Sequence, residues 1–418
     1  MNNINAFLKL KAFEKKISIN QLAKLTNKSQ SYISRMLNNQ IIYSNENRTF
    51  KQICHFLDIR ERDLQINTNS LKKEFYTFLN DACFKHENRD LHYQKLISKQ
   101  EQFKNSPGII YIYLTQIIYK GLKLSYISDD IYNSILKKLL CIYPALEMSE
   151  QTIFNIFYAS YLAKTNQYIL AQNYINKISI NHYSNCDILT MYYYIKLSID
   201  SHTSNETYQY MATYLKCKNL CEQTNNHIRL LLLNGNYANE LMKIGYIDEA
   251  INQNKNLINS TIEFNSINLW IRYNNIAWGY MLKHDYKEAL KYYNMIDKDK
   301  IDDDILFNKA WCKYQLKDYK QARLFLEEAK NIEVSNPIYP ILNNWLIAMM
   351  NKKYSLKTYQ LLCEIEEEHN EYLSMDMQHF IEIEKLNYYT HNHKEKEALK
   401  LTKKIIDSSF ISSSVIKL

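Results

Sequence analysis

Apolar positions near the N-terminus follow the spacing of two short helices joined by a polar turn, between residues 19 and 38. The apolar stripe of the first helix consists of Leu22, Ala23 and Leu25, and that of the second consists of Ile33, Met36 and Leu37. Ser29 precedes the second helix and is a residue type that caps helix N-termini. Apolar residues on both sides of this segment supply a core, so residues 1–66 are predicted to form a small domain of five helices.

The other side chains of the second helix are polar and lie off its apolar stripe. A helix of this kind can enter the DNA major groove, where such side chains contact phosphates and base edges. The residues that we predict to contact DNA are Lys28, Ser29, Gln30, Ser31, Tyr32, Ser34 and Arg35.

Positive charge is concentrated in the same part of the chain. Residues 1–66 contain 11 Lys or Arg and 5 Asp or Glu, so they carry +6 of the whole-chain net charge of +8. A local excess of basic residues beside a candidate reading helix favours a nucleic-acid partner. Because +6 is a moderate charge, we expect weak binding by one copy and therefore a homodimer on a two-part DNA site.

Residues 4–64 resemble helix-turn-helix domains of the lambda-repressor or Xre type. The resemblance implies a double-stranded DNA operator as the partner. Asn39 stands where those domains often have a glycine, and we expect the fold to tolerate it because asparagine adopts left-handed conformations. A small helical domain used for protein contacts is the alternative interpretation of the same pattern.

The composition predicts an all-α protein without catalytic machinery. The 418 residues include only 5 Gly and 4 Pro, the residues that punctuate sheets and tight turns. The sequence contains no glycine-rich phosphate loop or nucleophile elbow, and its 8 Cys lack the pair spacing of zinc sites. We therefore expect no enzymatic activity, no cofactor and no metal. Without a signal peptide or a run of about 18 apolar residues, the sequence predicts a cytoplasmic location and no membrane contact.

Pairs of alanines twelve residues apart recur along the C-terminal part of the chain. These pairs are Ala159 with Ala171, Ala238 with Ala250, Ala277 with Ala289, and Ala310 with Ala322. One small residue on each helix of an antiparallel hairpin lets the two helices pack closely, so each pair predicts a hairpin. With degenerate units near Ala212 and Tyr359, the repeat length is 33 to 41 residues. We assign residues 67–72 to a linker and residues 73–418 to a helical-repeat domain.

This repeat resembles the tetratricopeptide repeat, most closely between Tyr273 and Ala329, where alanines and aromatic residues fall on the packing positions of that family. The resemblance implies a right-handed superhelix whose concave face binds an extended peptide and contributes to dimerisation. The phase of the repeat and the nearby basic residues give these candidate peptide-binding residues: Asn239, Lys243, Arg272, Asn274, Trp278, Phe307 and Trp311.

The chemistry of these residues suits a short peptide. An asparagine amide donates to and accepts from a peptide backbone, and a tryptophan gives a flat apolar wall. For Trp278 and Trp311 the alternative is ordinary hairpin core, and for the two basic residues it is a surface charge. Asn236, Asn275 and Asn308 share the phase of the repeat, and their expected role is hydrogen bonding between neighbouring hairpins.

An N-terminal Xre-type domain followed by tetratricopeptide-like repeats resembles the peptide-sensing transcriptional regulators of the RRNPP family. The resemblance implies quorum sensing by a homodimer in which a bound signalling peptide changes the fit of two DNA-binding domains to paired half-sites. Two alternatives remain at this point. One is a peptide-independent repressor of the phage type, and the other is a repeat scaffold that recruits a protein partner.

Overall fold

The structure is a computed structural model that describes residues 3–44, 46–84, 88–122, 129–165, 167–180, 186–203, 207–263, 269–332, 334, 336–373 and 375–411. These residues form α-helices and short 3₁₀ helices, and no β-strand occurs among them. The all-α fold predicted from the composition is therefore confirmed. The chain divides into two compact units: unit 1 is Met1–Thr203 with Leu215–Asn226, and unit 2 is Ser204–Tyr214 with His227–Leu418.

Five helices build the N-terminal part of unit 1. They are α1 (Ile4–Glu14), α2 (Ile19–Thr26), α3 (Gln30–Leu37), α4 (Arg48–Phe56) and α5 (Glu61–Leu64). A capping box starts α2, because the Ser18 hydroxyl accepts a hydrogen bond from the Gln21 amide and the Gln21 side chain accepts one from the Ser18 amide. Asn27 adopts a left-handed conformation with φ 51°, which ends α2 and begins the turn into α3.

The apolar pattern locates α2 and α3, with one correction to the buried face of α2. Leu25 is 41% exposed, whereas Thr26 is 5% exposed and its hydroxyl donates to the Leu22 carbonyl at 2.8 Å. The face differs because α3 and α4 pack on the side of α2 that carries Thr26. Asn39 adopts φ 62°, which confirms its predicted left-handed conformation, and its Oδ1 accepts a hydrogen bond from Asn5.

Unit 1 continues with α6 (Asn69–Phe84), α7 (Arg89–Ile97), α8 (Gln100–Phe103), α9 (Ile109–Leu122), α10 (Asp129–Ile142), α11 (Met148–Lys164), α12 (Tyr168–Ile175) and α13 (Cys186–Thr203). Helix α6 begins inside the range 67–72 that the sequence assigned to a linker. Helix α9 is apolar on all sides and almost entirely buried, because α6, α7, α10 and α11 pack around it. Helix α1 packs against α10, so the N-terminal helices contact the following helices directly.

Unit 2 is mainly a series of helical hairpins. Its helices are α15 (His227–Lys243), α16 (Ile247–Glu263), α17 (Leu269–Leu282), α18 (Tyr286–Tyr293), α19 (Asp303–Gln315), α20 (Tyr319–Ala329), α21 (Ile338–Asn351), α22 (Leu356–Glu368), α23 (Met375–His391) and α24 (Glu395–Ile411), while α14 (Thr207–Gln223) has residues in both units. The alanine pairs lie on successive helices and are fully buried, as predicted. Tyr359 lies on α22, so the degenerate unit predicted there is the hairpin of α21 and α22.

The turns inside these hairpins share a left-handed residue just before the second helix begins. These residues have φ between 53° and 86° and are Gly245, His284, Lys317, Tyr354 and His393. In three hairpins the next residue caps the second helix with its side chain, namely Asp285, Asp318 and Ser355. Asp285 therefore caps α18 and Asp318 caps α20.

No helix in the described ranges is long and apolar enough to span a membrane. Among the same residues, no group of three or more His, Cys, Asp or Glu side chains is arranged to hold a metal ion. Five of the eight cysteines are buried.

Candidate functional site

Helix α3 exposes most of the residues predicted to contact DNA. The exposed ones are Lys28 and Ser29, which immediately precede the helix, and Gln30, Ser31 and Arg35 on it. Ser29 caps the helix, since its hydroxyl accepts a hydrogen bond from the Tyr32 amide at 3.2 Å. The apolar stripe of α3 is buried on the opposite side. This arrangement leaves two cationic groups and two polar side chains available to phosphates and base edges.

Tyr32 and Ser34 are half-buried and already hydrogen-bonded inside the N-terminal helices. Asn47 Nδ2 donates to the Tyr32 hydroxyl at 3.4 Å, and the Lys28 ammonium lies 5.8 Å from the centre of the Tyr32 ring. Asn38 Nδ2 donates to the Ser34 hydroxyl at 3.4 Å. These contacts fix the orientation of both side chains at the edge of the exposed face of α3.

The two asparagines predicted to bind a peptide lie on α15 and α17. Asn239 is exposed, and its Oδ1 accepts a hydrogen bond from Asn275 Nδ2 at 2.7 Å. This bond confirms the prediction that Asn275 joins neighbouring hairpins. Asn274 is half-buried, and its Oδ1 has no hydrogen-bond partner among the residues that the structure describes. A buried amide oxygen without a donor costs free energy, so Asn274 has an acceptor to offer a ligand.

Arg272 is buried between α15 and α17, so the alternative of a surface charge is wrong for this residue. Its Nη2 donates to the Leu231 carbonyl at 3.4 Å. The guanidinium lies against Gly235, where a Cβ atom would come within 1.8 Å of Nη1. Glycine at this position therefore makes room for the arginine. Lys243 is at the surface, with its ammonium 3.5 Å from a carboxylate oxygen of Glu240.

Phe307 and Trp311 lie in an aromatic cluster within unit 2. They are 2% and 9% exposed, which is the packing of hairpin core. The Trp311 ring centre lies 5.6 Å from that of Trp345 and 5.3 Å from that of Phe380, which meets it edge to face. Phe307 lies 6.3 Å from the same Phe380 ring.

The predicted peptide-binding residues thus fall into two groups with different surroundings. Asn239, Asn274 and Trp278 are exposed or half-buried on α15 and α17, and Trp278 packs against the apolar side chains around Ala250. The aromatic residues of α19 are buried and make contacts with side chains of α21 and α23.

Two carboxyl groups of unit 2, the half-buried Asp304 and the buried Glu384, were not among the candidates from the sequence. Asp304 on α19 accepts hydrogen bonds from the Tyr339 hydroxyl and from Asn308 Nδ2, both at 2.8 Å, and burial raises its pKa to about 6. Burial raises the pKa of Glu384 on α23 to about 7. Asn308 bonds to Asp304 within its own helix, and its side chain also hydrogen-bonds to the Tyr293 phenol of the preceding hairpin. In the sequence, the only feature that distinguishes Asp304 is its position in the first turn of a helix.

Neither a protein-family model nor a curated protein matches the chain. Several solved structures do match it. A Rap protein complexed with competence and sporulation factor aligns with a TM-score of 0.66 and 11% identity, over 83% of this chain and 99% of that one. NprR in complex with its cognate peptide NprX aligns with a TM-score of 0.57 and 16% identity, over 81% and 99% of the two chains. Aspartyl phosphate phosphatase F from Bacillus subtilis aligns with a TM-score of 0.51 and 13% identity, over 84% and 96%.

At identities this low, structural likeness establishes the fold alone. The Rap and NprR neighbours belong to the RRNPP family of peptide-binding quorum-sensing regulators. The repeat architecture inferred from the alanine pairs agrees with these neighbours. The chain therefore has the tetratricopeptide-like helical-repeat fold of the RRNPP regulators.

Proposed function

We propose that the protein is a cytoplasmic transcriptional regulator of the quorum-sensing type. Residues 1–66 bind a double-stranded DNA operator, and residues 73–418 bind a short signalling peptide and form a homodimer. The peptide controls how well the two DNA-binding domains fit their half-sites. The protein requires no cofactor or metal for this activity and has no catalytic role.

The observation that carries the peptide part of the proposal is the shared fold with NprR, which was solved in complex with its cognate peptide NprX. A fold alone does not fix a function, so the chemistry of the site has to supply the rest. Asn274 offers a buried oxygen that has no donor among the described residues, and the exposed amide of Asn239 lies nearby on the preceding hairpin. Such amides bind the donors and acceptors of an extended backbone.

We assign the direct peptide contacts to Asn239, Asn274 and Trp278, because these side chains are exposed or half-buried. Phe307 and Trp311 support an apolar wall from within the core, where they are held by neighbouring aromatic rings. Lys243 and Arg272 supply positive charge that complements a peptide carboxylate. Lys243 and Arg272 contribute less to peptide binding than the three direct contacts, because both side chains already have partners within the protein.

The DNA part of the proposal is supported by the geometry of α2 and α3 and by the net charge of +6 in residues 1–66. Lys28 is exposed just before the capped N-terminus of α3, and Arg35 is exposed in the last turn of the same helix. Backbone contacts by such cations release counterions, so affinity is expected to fall steeply with salt concentration.

A protein-directed regulator is the second candidate function, since one structural neighbour is an aspartyl phosphate phosphatase. In that case the repeats recruit a protein partner and the N-terminal helices serve as a protein-contact module. A peptide-independent repressor differs from both by binding DNA with no response to peptide.

Two binding measurements on the full-length chain test the proposal. The first measures fluorescence anisotropy of labelled DNA from upstream of its own gene, from about 50 to about 200 mM salt. The second captures short peptides from a culture filtrate on the immobilised protein. Salt-sensitive DNA binding together with a captured peptide supports the regulator. Peptide capture without DNA binding at low salt favours the protein-directed function, and DNA binding without peptide favours the plain repressor.

A further inference from the structure

Helix α23 holds a buried carboxyl group that lacks part of its hydrogen bonding. Glu384 is 7% exposed, and its Oε1 accepts a hydrogen bond from Asn387 Nδ2 at 3.1 Å. Its Oε2 is buried and has no hydrogen-bond partner in the part of the chain that the structure describes. A carboxylate in this situation is costly unless a cation or a donor comes to it.

The spacing of residues on two helices places Glu384 beside Tyr314. Phe380 lies one turn before Glu384 on α23, and its ring contacts Trp311 on α19 at 5.3 Å. Tyr314 lies one turn after Trp311, with the two ring centres 5.5 Å apart. Residues three or four apart share a helix face, so Glu384 lies on the face of α23 that carries Phe380, and Tyr314 lies on the face of α19 that carries Trp311. The charge of Glu384 accordingly acts on the Tyr314 phenol.

Two more tyrosines lie near the same carboxyl group. Tyr286 begins α18, Tyr354 lies in the turn after α21, and both side chains are half-buried. Burial, together with nearby groups that include the Glu384 carboxylate, raises the pKa of Tyr286, of Tyr314 and of Tyr354. The ammonium of Lys353 lies 4.8 Å from the Tyr354 ring and is the positive charge that acts on Glu384. The phenols of Tyr286, Tyr314 and Tyr354 therefore lie close enough to Glu384 to interact electrostatically with its carboxylate.

We propose that Glu384, Tyr286, Tyr314 and Tyr354 form a subsite that binds a cationic group of the signalling peptide. The group is the side chain of a lysine or arginine, or the N-terminal ammonium. Aromatic rings attract cations through their faces, and Oε2 gains the charge-assisted hydrogen bond that it lacks. The cation enters when one of the two half-buried phenols rotates. This inference rests on the peptide binding proposed above and adds the chemical class of the peptide.

Ionisation of Glu384 is coupled to binding in this proposal. Burial raises its pKa to about 7, although Asn387 and Lys353 act in the opposite direction. A bound cation stabilises the ionised carboxylate, so binding releases a proton near neutral pH. Affinity for a cationic peptide therefore rises between about pH 6 and about pH 8. The three phenols remain protonated over this range because their pKa values are raised.

The test is affinity selection from a random pentapeptide library on the full-length chain, read by mass spectrometry. One library has free N-termini and the other has acetylated N-termini. Glu384→Gln removes the charge and keeps the size of the side chain. Glu397→Gln is the matched control, because it makes the same change at an exposed position of α24. Circular dichroism checks the fold of each variant, and the wild-type selection is repeated at about pH 6 and about pH 8.

We expect the wild-type protein and Glu397→Gln to enrich lysine or arginine over neutral residues at one position by about tenfold or more, and Glu384→Gln to lose this preference. If the cationic preference persists with acetylated peptides, the subsite binds a lysine or arginine side chain. If the preference requires a free N-terminus, the subsite binds the N-terminal ammonium. If Glu384→Gln does not fold, an enrichment in the wild type that grows with pH supports the subsite.

Two results would overturn the inference. If peptides are selected without a cationic preference, or if Glu384→Gln keeps that preference, the subsite is wrong while peptide binding stands. If no peptide is selected by any form of the protein, the proposed peptide-sensing function fails and the subsite fails with it.

Discussion

The ammonium of Lys138 on α10 lies 2.9 Å from a carboxylate oxygen of Glu14 on α1. The same ammonium donates to the Tyr113 hydroxyl on α9 at 3.1 Å. Earlier on α1, Lys9 donates to Asn38, the residue that ends α3, at 2.6 Å. Polar contacts therefore run from the buried helix α9 to the end of the candidate reading helix within unit 1.

Substitution of Lys138 by methionine is predicted to loosen α1. The change removes two hydrogen bonds from partly buried partners, so we expect the free energy of unfolding to fall by about 1 kcal/mol. Amide hydrogen exchange in α1 should become faster. Lys137→Met is the control because Lys137 is exposed on the same helix. Equal exchange rates in α1 for the two variants would show that the contact between Lys138 and Glu14 does not hold α1 against α10.

Arg35→Ala is predicted to weaken DNA binding by about 1 kcal/mol or more without lowering the melting temperature. The guanidinium is exposed on α3, so its loss removes a DNA contact and leaves the core intact. Fluorescence anisotropy with operator DNA measures the effect. Lys400→Ala, a change of the same charge at an exposed position on α24, should leave DNA affinity unchanged. Equal affinities for the two variants would remove Arg35 from the DNA-binding face.

Asn274→Ala is predicted to lower peptide affinity by about 1 kcal/mol while leaving the melting temperature unchanged or raised. The reason is that the buried Oδ1 accepts no hydrogen bond from the residues that the structure describes, which leaves it available to a peptide donor. Titration calorimetry with a captured peptide measures the affinity. Asn275→Ala serves as the comparison, because it breaks the bond to Asn239 and tests that contact alone. A variant that melts lower but binds peptide normally would give Asn274 a structural role.

Asp304→Asn is predicted to flatten the pH dependence of stability in unit 2. Burial raises the folded-state pKa of Asp304 to about 6, against about 3.9 in the unfolded chain. The folded state therefore holds an extra proton between these values, and its stability falls as pH rises from about 4 to about 6. Thermal melts over this range should show a smaller slope for Asp304→Asn than for the wild type. Asp297→Asn is the control at an exposed position and should keep the wild-type slope. A wild-type slope for Asp304→Asn would show that the pKa of Asp304 is not raised in the folded state.

The local features of the fold could be predicted because they depend on short stretches of chain. Ser29 caps α3, Asn39 is left-handed, and Asp285 and Asp318 cap the second helices of hairpins. Each of these depends on residues within one helical turn. The buried alanine pairs likewise report contacts within one hairpin, which their spacing of twelve residues encodes.

The surroundings of the candidate site could not be predicted because they depend on residues distant in the sequence. Trp311 is in phase with a groove position, yet Phe380 covers it from a helix that begins more than one hairpin later. Periodicity identifies a face of a helix and does not identify what covers that face. The same reason explains why Glu384, within an ordinary helical pattern, gave no sign of its burial.

The central claim is that peptide binding and DNA binding are coupled in one protein. The most direct measurement is the Kd of the full-length chain for operator DNA, with and without a saturating captured peptide, at one salt concentration. We predict that saturating peptide changes the Kd for DNA by about fivefold or more, in either direction. Saturating DNA should change the Kd for the peptide by the same factor. The same DNA affinity at saturating peptide would contradict the claim.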